Sequence, residues 1–330
     1  MKTLLPLSLL FAALLLVAAP VHASPTHTGT WTASVREKES QLQLSLHPKS
    51  ERGEQMSMPI PLSAFQGLST SDGSTAPFQL QREAGTFQFE GRFNEGDGAG
   101  HFRFEPNEAY LRTMAGLGYP KLTPDEHFKL AIFDISTARI KELAALGYKD
   151  IPLKELIEVA IFQVTPEYIR SLSALGYSKL TLKQLVKTRI HQVTPERIRA
   201  LAAEGYKDLP LETLLAMSIH NVSPEFIREM RGLGFKDLPA DELIPLRIHG
   251  VTPAFVKEIG DLGFTSLTRK QLVAFRIHGV TPAFIREMRE AGYPNVTADE
   301  LVKLRIHGVD SVFVRSVSGD KGKGDSRKKP

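Results

Sequence analysis

The sequence predicts a two-part protein: a small antiparallel β domain followed by an all-α solenoid of 29-residue helix-pair repeats. Three observations predict it. Residues 29–104 contain runs of strict apolar–polar alternation. After Pro106, glycines recur at 118, 147, 176, 205, 234, 263 and 292, each 29 residues from the last and each followed by Tyr or Phe. The first 23 residues have neither pattern and read as a leader. The expected division is a signal peptide over 1–23, a β domain over 24–106, a solenoid over 107–318 and a basic, disordered tail over 319–330. The solenoid comprises seven repeats and a closing helix.

The leader opens on Met1-Lys2, continues in an apolar run from Leu4 to Ala19 broken by Pro6 and Ser8, and ends on Val21-His22-Ala23. That is the layout of a secretory signal peptide cut after Ala23. A retained membrane anchor is the alternative, but the run is shorter than the roughly 20 apolar residues a spanning helix needs. The chain has no cysteine, which excludes disulfides, thiol catalysis and thiolate metal sites. Export without cysteine points to a bacterial periplasm or exterior. The net charge is +4, and residues 320–330 contribute +3 of it. The basic character therefore belongs to the tail, and a nucleic-acid role draws little support from it.

In the β domain, Gln41–Leu46, Phe78–Gln81 and Phe87–Glu90 alternate strictly, and Phe102 and Phe104 open a last strand after a Gly-rich turn at 95–100. Period-two alternation buries one face. The expectation is a sandwich or open barrel of five to seven strands with phenylalanines in its core.

Residues 252–280 show how one repeat is built. Thr252-Pro253 is an N-cap followed by proline at the first helical position. Phe255, Val256, Ile259 and Leu262 form an apolar stripe. Gly263 supplies the left-handed stop, with Phe264 folding back on the last turn. Thr268 caps a second helix carrying Leu272, Val273, Phe275 and Ile277, which Gly279 ends. Thr165-Pro166, Thr194-Pro195 and Ser223-Pro224 repeat the punctuation. Helices of about three turns are marginal alone, so stacking must stabilise them. Asn107-Glu108 and Asp310-Ser311 replace Thr-Pro at the two ends, as in capping repeats.

The register exposes columns of equivalent residues. Arg112, Lys141, Arg170, Arg199, Arg228, Lys257, Arg286 and Arg315 are basic in every first helix and are the partner-binding candidates. Against them stands the reading of a solvated face, with Glu167, Glu196 and Glu225 pairing three residues earlier. Ala254 and Ala283 remove that partner from Lys257 and Arg286. A second column is His191, His220, His249, His278 and His307. Ligands of one zinc ion must converge to about 2 Å, whereas successive repeats stand roughly 10 Å apart. Helix-end capping is therefore the expected role, with pH sensing as the alternative. Arg189, Arg247, Arg276 and Arg305 precede these histidines by two and read as further capping groups. No nucleophile–base pair, P-loop or H-E-x-x-H motif is present, so no catalytic residue, metal or cofactor is expected. Ile277-His278-Gly279-Val280 resembles a helix–hairpin–helix turn, but Thr281 stands where a second glycine would let the backbone approach phosphate.

The strings G-Y-x-x-L and L-x-x-L-R-I-H-G-V-T-P-x-F-I-R-E-M resemble a repeat of exported bacterial proteins. The same repeat occurs in the C-terminal regions of some BlaR1-like M56 metallopeptidase sensors. The likeness covers about residues 107–315. It implies an extracytoplasmic sensing or interaction module; the peptidase motif and membrane helices of those sensors have no counterpart here, so proteolysis does not carry over. The expected function is a non-catalytic scaffold binding a protein or peptide, an acidic one for the basic column. The alternatives are polyanion or nucleic-acid binding through the basic columns and tail, and a small-ligand carrier or enzyme centred on the β domain.

Overall fold

The computed structural model describes residues 27–318 apart from 37, 39, 50–54 and 76. The predicted signal peptide and basic tail lie outside the described residues. The chain divides into two compact units, one up to Leu153 and one from Lys154.

The first unit opens with seven antiparallel strands: β1 (His27–Arg36), β2 (Gln41–Pro48), β3 (Met56–Pro61), β4 (Phe65–Gln66), β5 (Phe78–Arg82), β6 (Gly85–Asn94) and β7 (Asp97–Pro106). They form one sheet in the order β3-β2-β1-β7-β6-β5-β4. Of the sandwich and the open barrel expected, this single curled sheet agrees with the open barrel, and connectivity supplies the reason. β3 and β4 are opposite edges, yet only a 3-10 turn at Leu62–Ala64 separates them. Six strand steps of about 4.8 Å would part the edges of a flat sheet by roughly 29 Å. The linking chain reaches about 15 Å at most, so the sheet must curl.

The alternating residues meet inside the curl. Trp31, Leu42, Leu44, Leu46, Leu80, Phe87, Phe89 and Phe104 are fully buried. Phe78 stacks on Phe89 at 4.8 Å between ring centroids and meets Trp31 edge-on at 5.3 Å. A Cβ on Gly91 would lie 2.6 Å from the Trp31 ring, so glycine clears the space for the indole. The Trp31 Nε1–H donates to the carbonyls of His101 and Glu90 at 3.1 and 3.3 Å, which satisfies its buried polar atom.

Three helices complete this unit: α1 (Glu108–Gly116), α2 (Pro124–Ile132) and α3 (Thr137–Ala145). They grip the turn between β5 and β6. The Asn107 side-chain amide donates to Glu83 O and the Asn107 backbone amide to Ala84 O. The Glu83 carboxylate accepts from the amide and hydroxyl of Thr137 at 2.8 and 2.6 Å. His127, buried and stacked on Tyr110, reaches Ala84 O through Nε2 at 2.6 Å. Burial pushes the His127 imidazole below its usual pKa, so the ring donates as the neutral Nε2–H tautomer. Burial pushes the Tyr110 phenol up, and its hydroxyl donates to Ile135 O.

The second unit continues the helix pairs. Its first helices are α5 (Pro166–Ser173), α7 (Pro195–Ala203), α9 (Pro224–Gly232), α11 (Pro253–Asp261), α13 (Pro282–Glu290) and α15 (Ser311–Ser318). Its second helices are α4 (Leu153–Ile161), α6 (Leu182–Ile190), α8 (Leu211–Ile219), α10 (Ala240–Ile248), α12 (Arg269–His278) and α14 (Ala298–Ile306). The predicted punctuation is present. Thr165, Thr194, Ser223, Thr252 and Thr281 each accept an amide hydrogen bond at an N-cap followed by proline. Thr268 and Gln271 form a reciprocal capping box. Phe264 N donates to Ile259 O beyond Gly263, the six-residue closure expected of a glycine stop.

Second helices pack on their neighbours two elements away, α8 on α10, α10 on α12 and α12 on α14. Leu185, Leu214, Leu243, Leu272 and Leu301 form their shared core, with Met217, Leu246 and Phe275 one turn on. Thr188 occupies the same column and is fully buried; its hydroxyl accepts from Tyr168 and donates to Leu185 O.

Candidate interaction surface

The arginines before the histidine column have a defined task. Arg189, Arg247, Arg276 and Arg305 each donate from Nε to a backbone carbonyl 27 residues earlier: Phe162, His220, His249 and His278, at 3.0, 3.3, 3.4 and 3.2 Å. Each accepting residue ends the second helix of the preceding repeat, where carbonyls lack intrahelical partners. The same guanidinium groups lie 4.9–5.0 Å over the rings of Tyr168, Phe226, Phe255 and Phe284. Capping is thus confirmed, but of the neighbouring repeat. The five histidines stand at helix ends as expected. Their rings make no hydrogen bond among the described residues, and the arginines supply the capping donors. No group of three or more His, Asp or Glu is placed to hold a metal ion among the described residues.

Seven members of the basic column, Arg112, Lys141, Arg170, Arg199, Arg228, Lys257 and Arg286, are exposed; the side chain of Arg315 lies outside the described residues. Arg170, Arg199 and Arg228 pair with Glu167, Glu196 and Glu225 at 3.4, 3.5 and 2.9 Å. Arg228 also bonds Glu204 of the preceding repeat at 2.8 Å, and Arg231 bonds the other oxygen of that carboxylate at 2.9 Å. These arginines hold the Glu204 carboxyl below the usual carboxylate range, and Glu204 in turn raises the Arg228 pKa. Glu196 and Glu225 are lowered first by their own helix-start amides and then by the capping hydroxyls of Thr194 and Ser223. Lys257 meets Asp261 at 3.7 Å. Much of this column therefore serves local pairing, leaving Arg112, Lys141 and Arg286 without an ion pair among the described residues.

A different column is the conspicuous one. Ile161, Ile190, Ile219, Ile248, Ile277 and Ile306 close successive second helices and are 45–55 % exposed. Ile277 is thereby set apart from Leu272 and Phe275, the buried apolar residues of the same helix. In the first unit the equivalent Ile132 is buried. One helical turn before the three middle rungs stand Ala216, Pro245 and Ala274, which keep the centre of the ladder apolar; Lys187 and Lys303 take that place further out. Between α10 and α12 runs a groove of about 360 Å³ whose apolar lining includes Pro245, Val273, Ala274 and Ile277, with Asp241 and Lys270 at its polar side. An exposed isoleucine forgoes on the order of 1 kcal/mol of burial. Contiguous exposed apolar surface with a charged rim marks interaction sites on soluble proteins.

The β domain offers less. Its interior is occupied by the aromatic cluster described above, and its outer face is polar. Gln66, Gln79 and Gln81 hydrogen-bond one another across β4 and β5, and Arg103 bonds Gln88 on the neighbouring strands.

Fold and surface together define a class: an α-helical repeat protein with an N-terminal β domain, its repeats joined by arginines that cap their neighbours. No protein-family model matches the chain, and no curated protein matches it significantly.

Proposed function

We propose that the chain is an exported, non-catalytic scaffold that binds a protein or peptide along its helical repeats, with the isoleucine ladder as the contact surface. The observation that carries this is the same exposed residue at the same position of six successive repeats. Folding does not require it, since the core column is complete without it. The ladder's charged surroundings fit a partner with an apolar stripe and mixed-charge flanks. The resemblance to sensor-associated repeats supports an envelope sensing accessory as the setting.

A photo-crosslinking residue placed at Ile248 is expected to give a discrete adduct in cells, and one at exposed Lys207, outside the ladder, is expected to give none. Equal adducts from both positions would remove the support. Polyanion binding is the second reading, favoured by the exposed Arg112, Lys141 and Arg286, which have no ion pair among the described residues. It requires binding that falls steeply with salt, and absence of binding at low salt would end it.

A further inference from the structure

The last second helix, α14, repeats the surface of α12 but lacks what covers α12. Five features mark the difference. Leu304 is half-buried, although Met217, Leu246 and Phe275 in its column are fully enclosed. Val309 is half-buried where Val222, Val251 and Val280 are at most 1 % exposed. No side chain donates to His307 O among the described residues, although His220 O, His249 O and His278 O each receive an arginine. Phe313 is 53 % exposed with no cation over its ring among the described residues, whereas Phe226, Phe255 and Phe284 each lie under one. A Cβ built on Gly308 meets nothing within 4 Å, while those on Gly250 and Gly279 lie 3.1 and 3.0 Å from the guanidinium groups of Arg276 and Arg305. A groove of about 450 Å³ opens here, lined in part by Tyr293, Val296, Leu304 and Val309.

We infer that this end of the array is a docking site for an amphipathic helix from a partner protein, seated on α14 as α14 is seated on α12. One helix would satisfy all five features, which fixes its chemistry. It carries two leucine-like residues one turn apart, facing Leu301 and Leu304, and an arginine in its last turn. That arginine donates to His307 O, lies over Phe313 and fills the space beside Gly308. The argument is continuity with an interface already present three times in the second unit. Residues 319–330 contain no apolar side chain except proline, so they lack the chemistry to fill the groove. The site is separate from the isoleucine ladder, and either can fail without the other.

The test is fluorescence anisotropy with the full mature chain and a labelled peptide of residues 297–309, which carries its own Thr297–Glu300 capping box. Saturable binding is expected, weakened at least fivefold by Arg305→Ala in the peptide and lost with Leu301→Asp in the peptide. Those changes leave the folded chain untouched. On the chain, Phe313→Ser at an exposed position is expected to weaken binding at least threefold without altering the circular dichroism. No binding at 1 mM peptide, or equal binding of the wild-type and Arg305→Ala peptides, would overturn the inference. So would a dimer in sedimentation that Phe313→Ser dissolves and the peptide cannot enter, because a second copy would then be the occupant.

Discussion

Replacing Arg189 by alanine removes one complete inter-repeat clamp. Its Nε–H donates to Phe162 O at 3.0 Å, its Nη2 reaches Gln163 Oε1 at 3.2 Å, and its guanidinium lies 4.9 Å from the Tyr168 ring centroid. The carbonyl belongs to a helix end and is left without this donor. A hydrogen bond from a charged group contributes about 1.5–3 kcal/mol when well enclosed, and this half-buried one sits at the low end. A cation–π contact adds about 0.5–1 kcal/mol at exposed sites. The side-chain bond to Gln163 is exposed and adds little. The expected loss is about 2–3 kcal/mol, with Arg189→Lys losing roughly half of it because an ammonium keeps charge but not the planar fork. Nearest-neighbour interfaces hold a repeat array together, so the loss should appear as reduced cooperativity as well as a lower midpoint. Urea unfolding followed by circular dichroism measures both, and hydrogen exchange at residues 159–164 locates the effect. A double-mutant cycle with Tyr168→Leu isolates the ring contact. A change under about 0.5 kcal/mol with unchanged exchange, a size ordinary for surface substitutions, would refute the clamp.

Other perturbations test separate links. Gly279 has φ +69° and its Cβ would press on Arg305; Gly279→Ala should cost about 1–2 kcal/mol for the left-handed backbone alone. Gly279→Asn should cost less, because Asn221 holds the equivalent position at φ +52°. Thr268→Ala removes a capping box and should lower stability by about 1 kcal/mol in thermal or urea melts. Leu246→Ala leaves a cavity in a fully buried column and should cost about 2–5 kcal/mol, enough to unfold the neighbouring repeats first. His127 is held below its usual pKa by burial. The unfolded chain therefore binds the proton more readily, and the melting temperature of the first unit should fall as pH drops below about 6.5. His127→Gln, which keeps a donor for Ala84 O, should flatten that slope between pH 7.5 and 5.5.

Local grammar was the legible part of the sequence. Thr-Pro starts, Gly-aromatic stops and Thr–Gln boxes act within a few residues, so spacing alone places the helices. Alternation left a sandwich and an open barrel both standing, because the choice follows from which strands become edges, and pairing order is invisible to alternation. The arginine clamps act across 27 residues and between repeats, so a column reading found the right residues and the wrong helix. The exposed isoleucines had a readable signal. Ile190 stands five residues after the core Leu185, about 140° round the helix at 3.6 residues per turn, off the buried stripe. Counting Ile277 as one more apolar residue concealed this. The basic column drew attention through its conserved charge sign along the repeats, but its partners Glu167, Glu196, Glu225 and Glu204 account for much of it locally.

The central claim is that the ladder, and not the basic column, is where a partner binds. The direct measurement compares the chain with a triple variant, Ile219→Ser, Ile248→Ser and Ile277→Ser, as bait in an envelope extract, with the retained protein quantified by mass spectrometry. These side chains are half exposed, so the variant should fold with the same circular dichroism. The account predicts a discrete retained protein whose yield falls at least tenfold with the triple variant and changes little with Arg199→Glu. Undiminished retention by the folded triple variant, or loss only on reversing Arg199, would contradict it.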